Sequence, residues 1–166
     1  MQATSVVSAL AALSLGLAAS ASIAADTATR TLTLSGTVPK NCTLTIDGGN
    51  SATYTFPEAS FQGGFSGTTG TIATLVEKCN TSYDVSIRSL NNLNLISGGN
   101  SIPYTLKYGN FTSSNQDLSN FFEVFESLPK SPGQGTSRAI EISYSVPADA
   151  APGTYTDTLF FKITAE

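Results

Sequence analysis

The chain of 166 residues contains no histidine. That removes the usual general base and the commonest metal ligand. Charge is scarce as well: Asp, Glu, Lys and Arg make up 12% of the residues, the net charge is −4, and no basic cluster occurs. Phosphate neutralisation needs clustered Lys and Arg, so nucleic acid is excluded as a partner. No serine stands in a G-x-S-x-G pattern. Asp47-Gly48-Gly49-Asn50 lacks the acidic spacing of a calcium loop and reads as a turn. Glu123 and Glu126 read as the solvent face of a Phe-lined segment, not as an acid–base pair. The residues converge on no reaction, so the expectation is a protein that is not an enzyme and holds no metal or cofactor.

With so few charges, Ser, Thr, Asn and Gly must cover the surface. The apolar share is 40%, enough for one domain with a real core. The apolar residues alternate too regularly for disorder.

The first charged side chain is Asp26. Ahead of it an apolar stretch, from Val6 to Ala19, gives way to small residues. This pattern reads as a secretory signal peptide over residues 1–24, cleaved after Ala24 or after Ala21. It is too short for a spanning helix, which needs about 20 apolar residues. An exported chain with two cysteines is expected to join them, so Cys42 and Cys79 form the predicted disulfide. Closing that loop contributes about 4 kcal/mol in the chain-entropy picture. Asn41, Asn80 and Asn110 each head an N-x-[ST] triplet, a match that chance produces in so Asn/Ser/Thr-rich a chain.

Short alternating runs follow one another along the mature chain. Leu32, Leu34, Gly36 and Val38 share one parity, and Leu44 and Ile46 resume after Pro39. Tyr54 and Phe56 are in phase in a further extended candidate. Tyr83, Val85 and Ile87 alternate with polar residues, as do Ile102, Tyr104, Leu106 and Tyr108, and Ile140, Ile142, Tyr144 and Val146. Turn signals separate these runs, which predicts an all-β sandwich. One stretch departs from the pattern. Across residues 117–128, Leu118, Phe121, Phe122, Phe125 and Leu128 fall at helical spacing, with Asp117 or Ser119 placed to cap a helix. A short helix or irregular crossover is expected there, with a strand through FFEVF as the rival.

The last residues, ADAAPGTYTDTLFFKITAE, combine a Pro-Gly turn, Tyr155 and the alternating Leu159, Phe161 and Ile163. Tyr155 matches the tyrosine corner that opens strand F of Greek-key sandwiches. The chain then ends on strand F and strand G is missing, so Leu159, Phe161 and Ile163 border an open groove. Such an edge must be covered. At the other end, strand A needs only residues from about Ser35 to Leu44, which leaves a spare β-prone segment carrying Leu32 and Leu34. A spare strand and a missing strand are complementary, and strand addition from one copy to the next builds a filament.

On TLTLSGTVPKNCTL around the first cysteine, the second cysteine Cys79, SIPYTLKYGN in mid-chain and the Pro152, Gly153, Tyr155, Asp157, Leu159 ending, the sequence resembles the chaperone–usher pilins. Within them it is similar to the spore coat protein U domain group, which includes archaic pilus subunits. The 117–128 stretch departs from that resemblance. The resemblance implies a six-stranded, incomplete immunoglobulin-like sandwich over residues 35–166 and a donor-strand extension over 25–34. It implies export through the periplasm of a Gram-negative bacterium to a surface fimbrium that serves adhesion or biofilm formation. The partners it implies are a periplasmic chaperone, an outer-membrane usher and neighbouring subunits. It assigns Leu32 and Leu34 as donor knobs and Leu159, Phe161 and Ile163 as acceptor groove. The competing expectations are a secreted carbohydrate- or matrix-binding sandwich using Tyr54, Phe61 and Phe65, and a non-fibrous coat protein.

Overall fold

The computed structural model describes residues 30–114 and 116–166. The signal peptide and residues 25–29 of the proposed extension lie outside the described residues. Val38–Glu166 forms one compact unit, and the described residues before it belong to a separate one.

Ten strands make up the described fold: β1 (Cys42–Ile46), β2 (Ser66–Thr68), β3 (Ala73–Cys79), β4 (Tyr83–Ser89), β5 (Asn94–Ser97), β6 (Asn100–Tyr108), β7 (Phe111–Thr112), β8 (Phe122–Leu128), β9 (Thr136–Ser145) and β10 (Leu159–Ala165). A single 3-10 turn spans Glu58–Ser60, and no α-helix occurs among the described residues. The strands form two antiparallel sheets. The first has the order β1-β3-β9-β6-β5, with β2 beside β9 and β7 beside β6. The second has the order β10-β4-β8.

Period-two alternation explains the core. Leu75 of β3, Val85 and Ile87 of β4, Ile102, Leu106 and Tyr108 of β6, and Ile140 and Ile142 of β9 are all buried. At about 25 cal/mol per Å² of apolar surface, each such side chain contributes on the order of 2 kcal/mol. Cys42 and Cys79 face each other in the β1–β3 register and are joined as the expected disulfide. Asp47 and Gly48 take positive φ in the turn after β1, and Asp47 Oδ1 accepts the Thr74 N–H at 2.8 Å. The DGGN stretch is therefore a structural turn.

Three expectations need correction. Residues 122–128 form strand β8, not a helix. The reason is visible in its register with β4: Ile87 pairs with Phe122, Val85 with Phe125, and Tyr83 with Leu128. The partner advances two residues while β8 advances three, because two bulges interrupt the pairing. Phe122, Phe125 and Leu128 thus share a face at a spacing that imitates a helix. Ser127 takes positive φ there, and its N–H donates to Asp84 Oδ1 at 2.9 Å.

The first strand begins at Cys42, not near Ser35. Its partner β3 ends at Cys79, so residues 35–41 have no ladder to join. Asn80 ties them down instead, its Oδ1 accepting from Asn41 N–H at 2.8 Å and its Nδ2 donating to the Pro39 carbonyl at 2.9 Å. The last strand begins at Leu159, not at Tyr155. Thr156 instead makes an isolated bridge to Ile96 of β5, and Asp157 turns inward before β10 starts.

Candidate functional site: an open groove beside the last strand

Among the described residues, β10 is hydrogen-bonded to one strand, β4. Its antiparallel register with β4 runs unbroken from Leu159–Ser89 to Ala165–Tyr83. Just beyond its ends, Leu90 N–H donates to the Thr158 carbonyl and Glu166 N–H to the Ser82 carbonyl, each at 2.9 Å. Residues of even number therefore direct their backbone groups at β4. In an antiparallel ladder the alternate residues direct theirs the other way. The N–H and C=O groups of Leu159, Phe161, Ile163 and Ala165 thus line the free edge of the three-stranded sheet.

Those same residues pack against the core with half-buried side chains. Phe161 lies 5.5 Å from the ring of Tyr108, centroid to centroid. Leu159 and Phe161 form one wall of a groove of about 740 Å³. Its floor is core: Ala73, Leu95, Tyr104, Ile140 and Ile142. Ile163 lies further along β10, outside the groove lining.

Residues 52–56 make the opposite wall. They join no strand, and the backbone of 51–56 makes no hydrogen bond among the described residues. Phe56 anchors them by ring contacts at 5.2 Å to Tyr54, 5.0 Å to Phe61 and 4.9 Å to Tyr144. The groove is bounded by two unpaired backbone edges above an apolar floor. Backbone polar groups seek partners and apolar floors seek cover, so an extended peptide meets both demands where a compact ligand meets one.

The mouth of the groove is held by hydrogen bonds. Asp157 Oδ2 accepts from Ser89 Oγ and from the Tyr104 hydroxyl, both at 2.6 Å. Its Oδ1 accepts from Thr158 N–H at 2.7 Å and Asn91 N–H at 3.0 Å. Burial, then the Asp157 carboxylate, pushes the Tyr104 phenol well above its ordinary pKa. The Tyr155 hydroxyl donates to the Ala151 carbonyl at 2.8 Å, closing the Pro-Gly turn that delivers the chain to β10.

Of the residues singled out from sequence, the structure brings Leu159 and Phe161 together in one groove, with Tyr155 at its mouth. Leu32 and Leu34 are exposed, at 82% and 84%. Tyr54 is 39% exposed, whereas Phe61 and Phe65 are half-buried in ring contacts with Tyr144. Sequence reasoning missed two features. One is the unpaired wall at 51–56; its only signal was the in-phase Tyr54 and Phe56. The other is Glu77, which is fully buried although charged. Its signal was its parity, shared with Leu75 and Cys79. No family model and no curated protein matches the chain.

Proposed function

We propose that this chain is a structural subunit of a surface fibre, exported and then polymerised by strand addition between copies or with related subunits. The observation that carries the reading is the free edge of β10. Leu159 and Phe161, whose backbone groups face outward, also border the groove with their side chains. A single extended strand lying along that edge would gain main-chain hydrogen bonds and cover apolar surface together.

Topology supports an immunoglobulin-like assignment. The order β1-β3-β9-β6 follows the A-B-E-D order of such sandwiches, and β10 beside β4 follows F beside C. The position of strand G then falls on the free edge of β10. On this reading a periplasmic chaperone shields the edge before assembly and an outer-membrane usher exchanges it for the extension of the next subunit. Leu32 and Leu34 are the apolar residues that extension offers. The fibre serves adhesion or biofilm formation.

Deleting residues 25–34 tests the reading. The expected product folds when co-expressed with its chaperone but forms no fibres and no denaturant-resistant ladder on a gel. Fibres of normal length from that deletion would rule the reading out.

A further inference from the structure

The two walls of the groove are held differently. The wall at 52–56 is anchored by the ring contacts of Phe56 and by no backbone hydrogen bond among the described residues. The opposite wall opens with residues 154–158, which precede β10. Their share of a ladder, among the described residues, is one isolated bridge from Thr156 to Ile96. Apolar surface draws a movable wall over itself. An empty groove therefore stays open only where something fixes one side.

The fixing comes from residues 90–93, which join β4 to β5. Leu90 N–H donates to the Thr158 carbonyl at 2.9 Å. Asn91 N–H donates to Asp157 Oδ1 and Asn91 Nδ2 to the Thr156 carbonyl, each at 3.0 Å. Three successive residues of the mouth are thus bonded by two successive residues of the loop. The loop itself is strained. Asn92 and Leu93 have φ of 50° and 61°, and Leu93 is buried. A leucine rarely adopts left-handed backbone, and such a conformation persists where its surroundings hold it. Here Leu93 N–H donates to Ser89 Oγ at 2.6 Å, Leu118 N–H to Asn92 Oδ1 at 2.8 Å, and Tyr104 N–H to the Leu93 carbonyl at 3.0 Å. Ser89 Oγ serves loop and mouth together, since it also donates to Asp157 Oδ2.

We propose that Asp157 and Asn91 are positioning residues for strand addition: they fix residues 156–158 before a strand arrives, so that the groove is already formed. The inference rests on the fibre reading, in which the groove accepts an extended strand. A carboxylate offers about four acceptor positions. Those of Asp157 are taken from within, by Ser89, Tyr104, Asn91 and Thr158. Its influence on the strand is therefore through the shape of the mouth. A wall ordered in advance removes an ordering cost from binding. Once the wall is loosened, only molecules with an open mouth can bind, and the apparent affinity falls by that fraction. The loss appears in association, because a bound strand restores the mouth.

The test uses the exported, purified full-length chain carrying Leu32→Ser and Leu34→Ser, so that no copy donates to another. Its association with and dissociation from an immobilised peptide of residues 27–34 are read by surface plasmon resonance. Asp157→Ala is expected to slow association about tenfold and Asn91→Ala severalfold, with dissociation within about twofold of the parent. Tyr108→Phe is the control. It weakens the core away from the groove lining and is expected to leave association unchanged. Should Asp157→Ala fail to fold, Asn91→Ala, which keeps the backbone N–H bond to Asp157, carries the test. Unchanged association in the mouth variants, equal slowing by Tyr108→Phe, or an effect confined to dissociation would overturn this inference and leave the fibre reading standing. No binding of the peptide by the parent chain would overturn the fibre reading, and this inference with it.

Discussion

The Glu77 junction and the β10 edge solve the same problem in opposite ways. Both hold polar groups against apolar surroundings. At the junction, Glu77 is fully buried, and every contact is supplied from within. The Tyr83 hydroxyl donates to Oε2 at 3.0 Å, the Tyr108 hydroxyl to Oε1, and Arg138 Nε to both oxygens at 3.0 and 3.2 Å. Arg138 in turn lies 4.2 Å from the centre of the Phe125 ring. Strands β3, β4, β6 and β9 are tied together at one point. At the edge, four residues of β10 present backbone groups with no partner among the described residues. A closed network specifies one arrangement of its own strands. An open edge specifies what must arrive from outside.

The largest expected effect breaks the closed side. Glu77→Ala leaves the partly buried Arg138 without its counter-ion and two tyrosine hydroxyls without an acceptor. Removing one partner of a buried pair costs about 3–5 kcal/mol, and urea unfolding should read a loss of that size. Reduction of the disulfide, or Cys42→Ser with Cys79→Ser, comes next. A native disulfide is worth about 2–4 kcal/mol, measured by the same unfolding curves. Neither change alters a residue of β10, so the groove should still accept a peptide if folding is rescued by lower temperature.

The open side is sharpened by filling it. A synthetic peptide of residues 27–34 is expected to raise the stability of a chain lacking 25–34, by about 2.7 kcal/mol at 100 times its dissociation constant. Replacing both Leu32 and Leu34 by Ser in the peptide should abolish the gain. No stabilisation by the unaltered peptide would argue that the edge is not the site of addition.

The sequence made the open side easier to read than the closed one. The alternation of Leu159, Phe161 and Ile163 declares an edge strand with one apolar face, and the Pro-Gly-x-Tyr turn marks where it is approached. Glu77 hides because parity arguments assign charge to the solvent face, and only the donors from β4, β6 and β9 make a buried carboxylate affordable. Those donors are 6, 31 and 61 residues away in sequence. Strand β8 hides for a different reason. Bulges change its period from two to three, and no local feature announces a bulge before the partner strand is known. The 51–56 wall was half legible: its alternation was visible, its lack of a partner was not.

The smallest effect places one tyrosine on each side of the comparison. Tyr108 bonds Glu77 in the closed junction, and Tyr104 bonds Asp157 at the groove mouth. Burial first, and the bonded carboxylate second, raises both phenols above their ordinary pKa near 10. Above that pH the unfolded chain loses both protons while the folded chain keeps them. Stability is therefore whole below pH 10 and falls as pH rises, by about 1.4 kcal/mol per pH unit for each tyrosine. Urea unfolding at pH 9, 10 and 11 should show that slope. Tyr104→Phe and Tyr108→Phe should each remove one share of it. The two variants part company at neutral pH. Tyr108→Phe takes a donor from a buried carboxylate that no water reaches. Tyr104→Phe leaves Asp157 with Ser89, Asn91 and Thr158 still donating, so its cost at pH 7 should be the smaller of the two. Equal costs would mean that the groove mouth is as tightly closed as the junction, and the contrast between the two regions would fail.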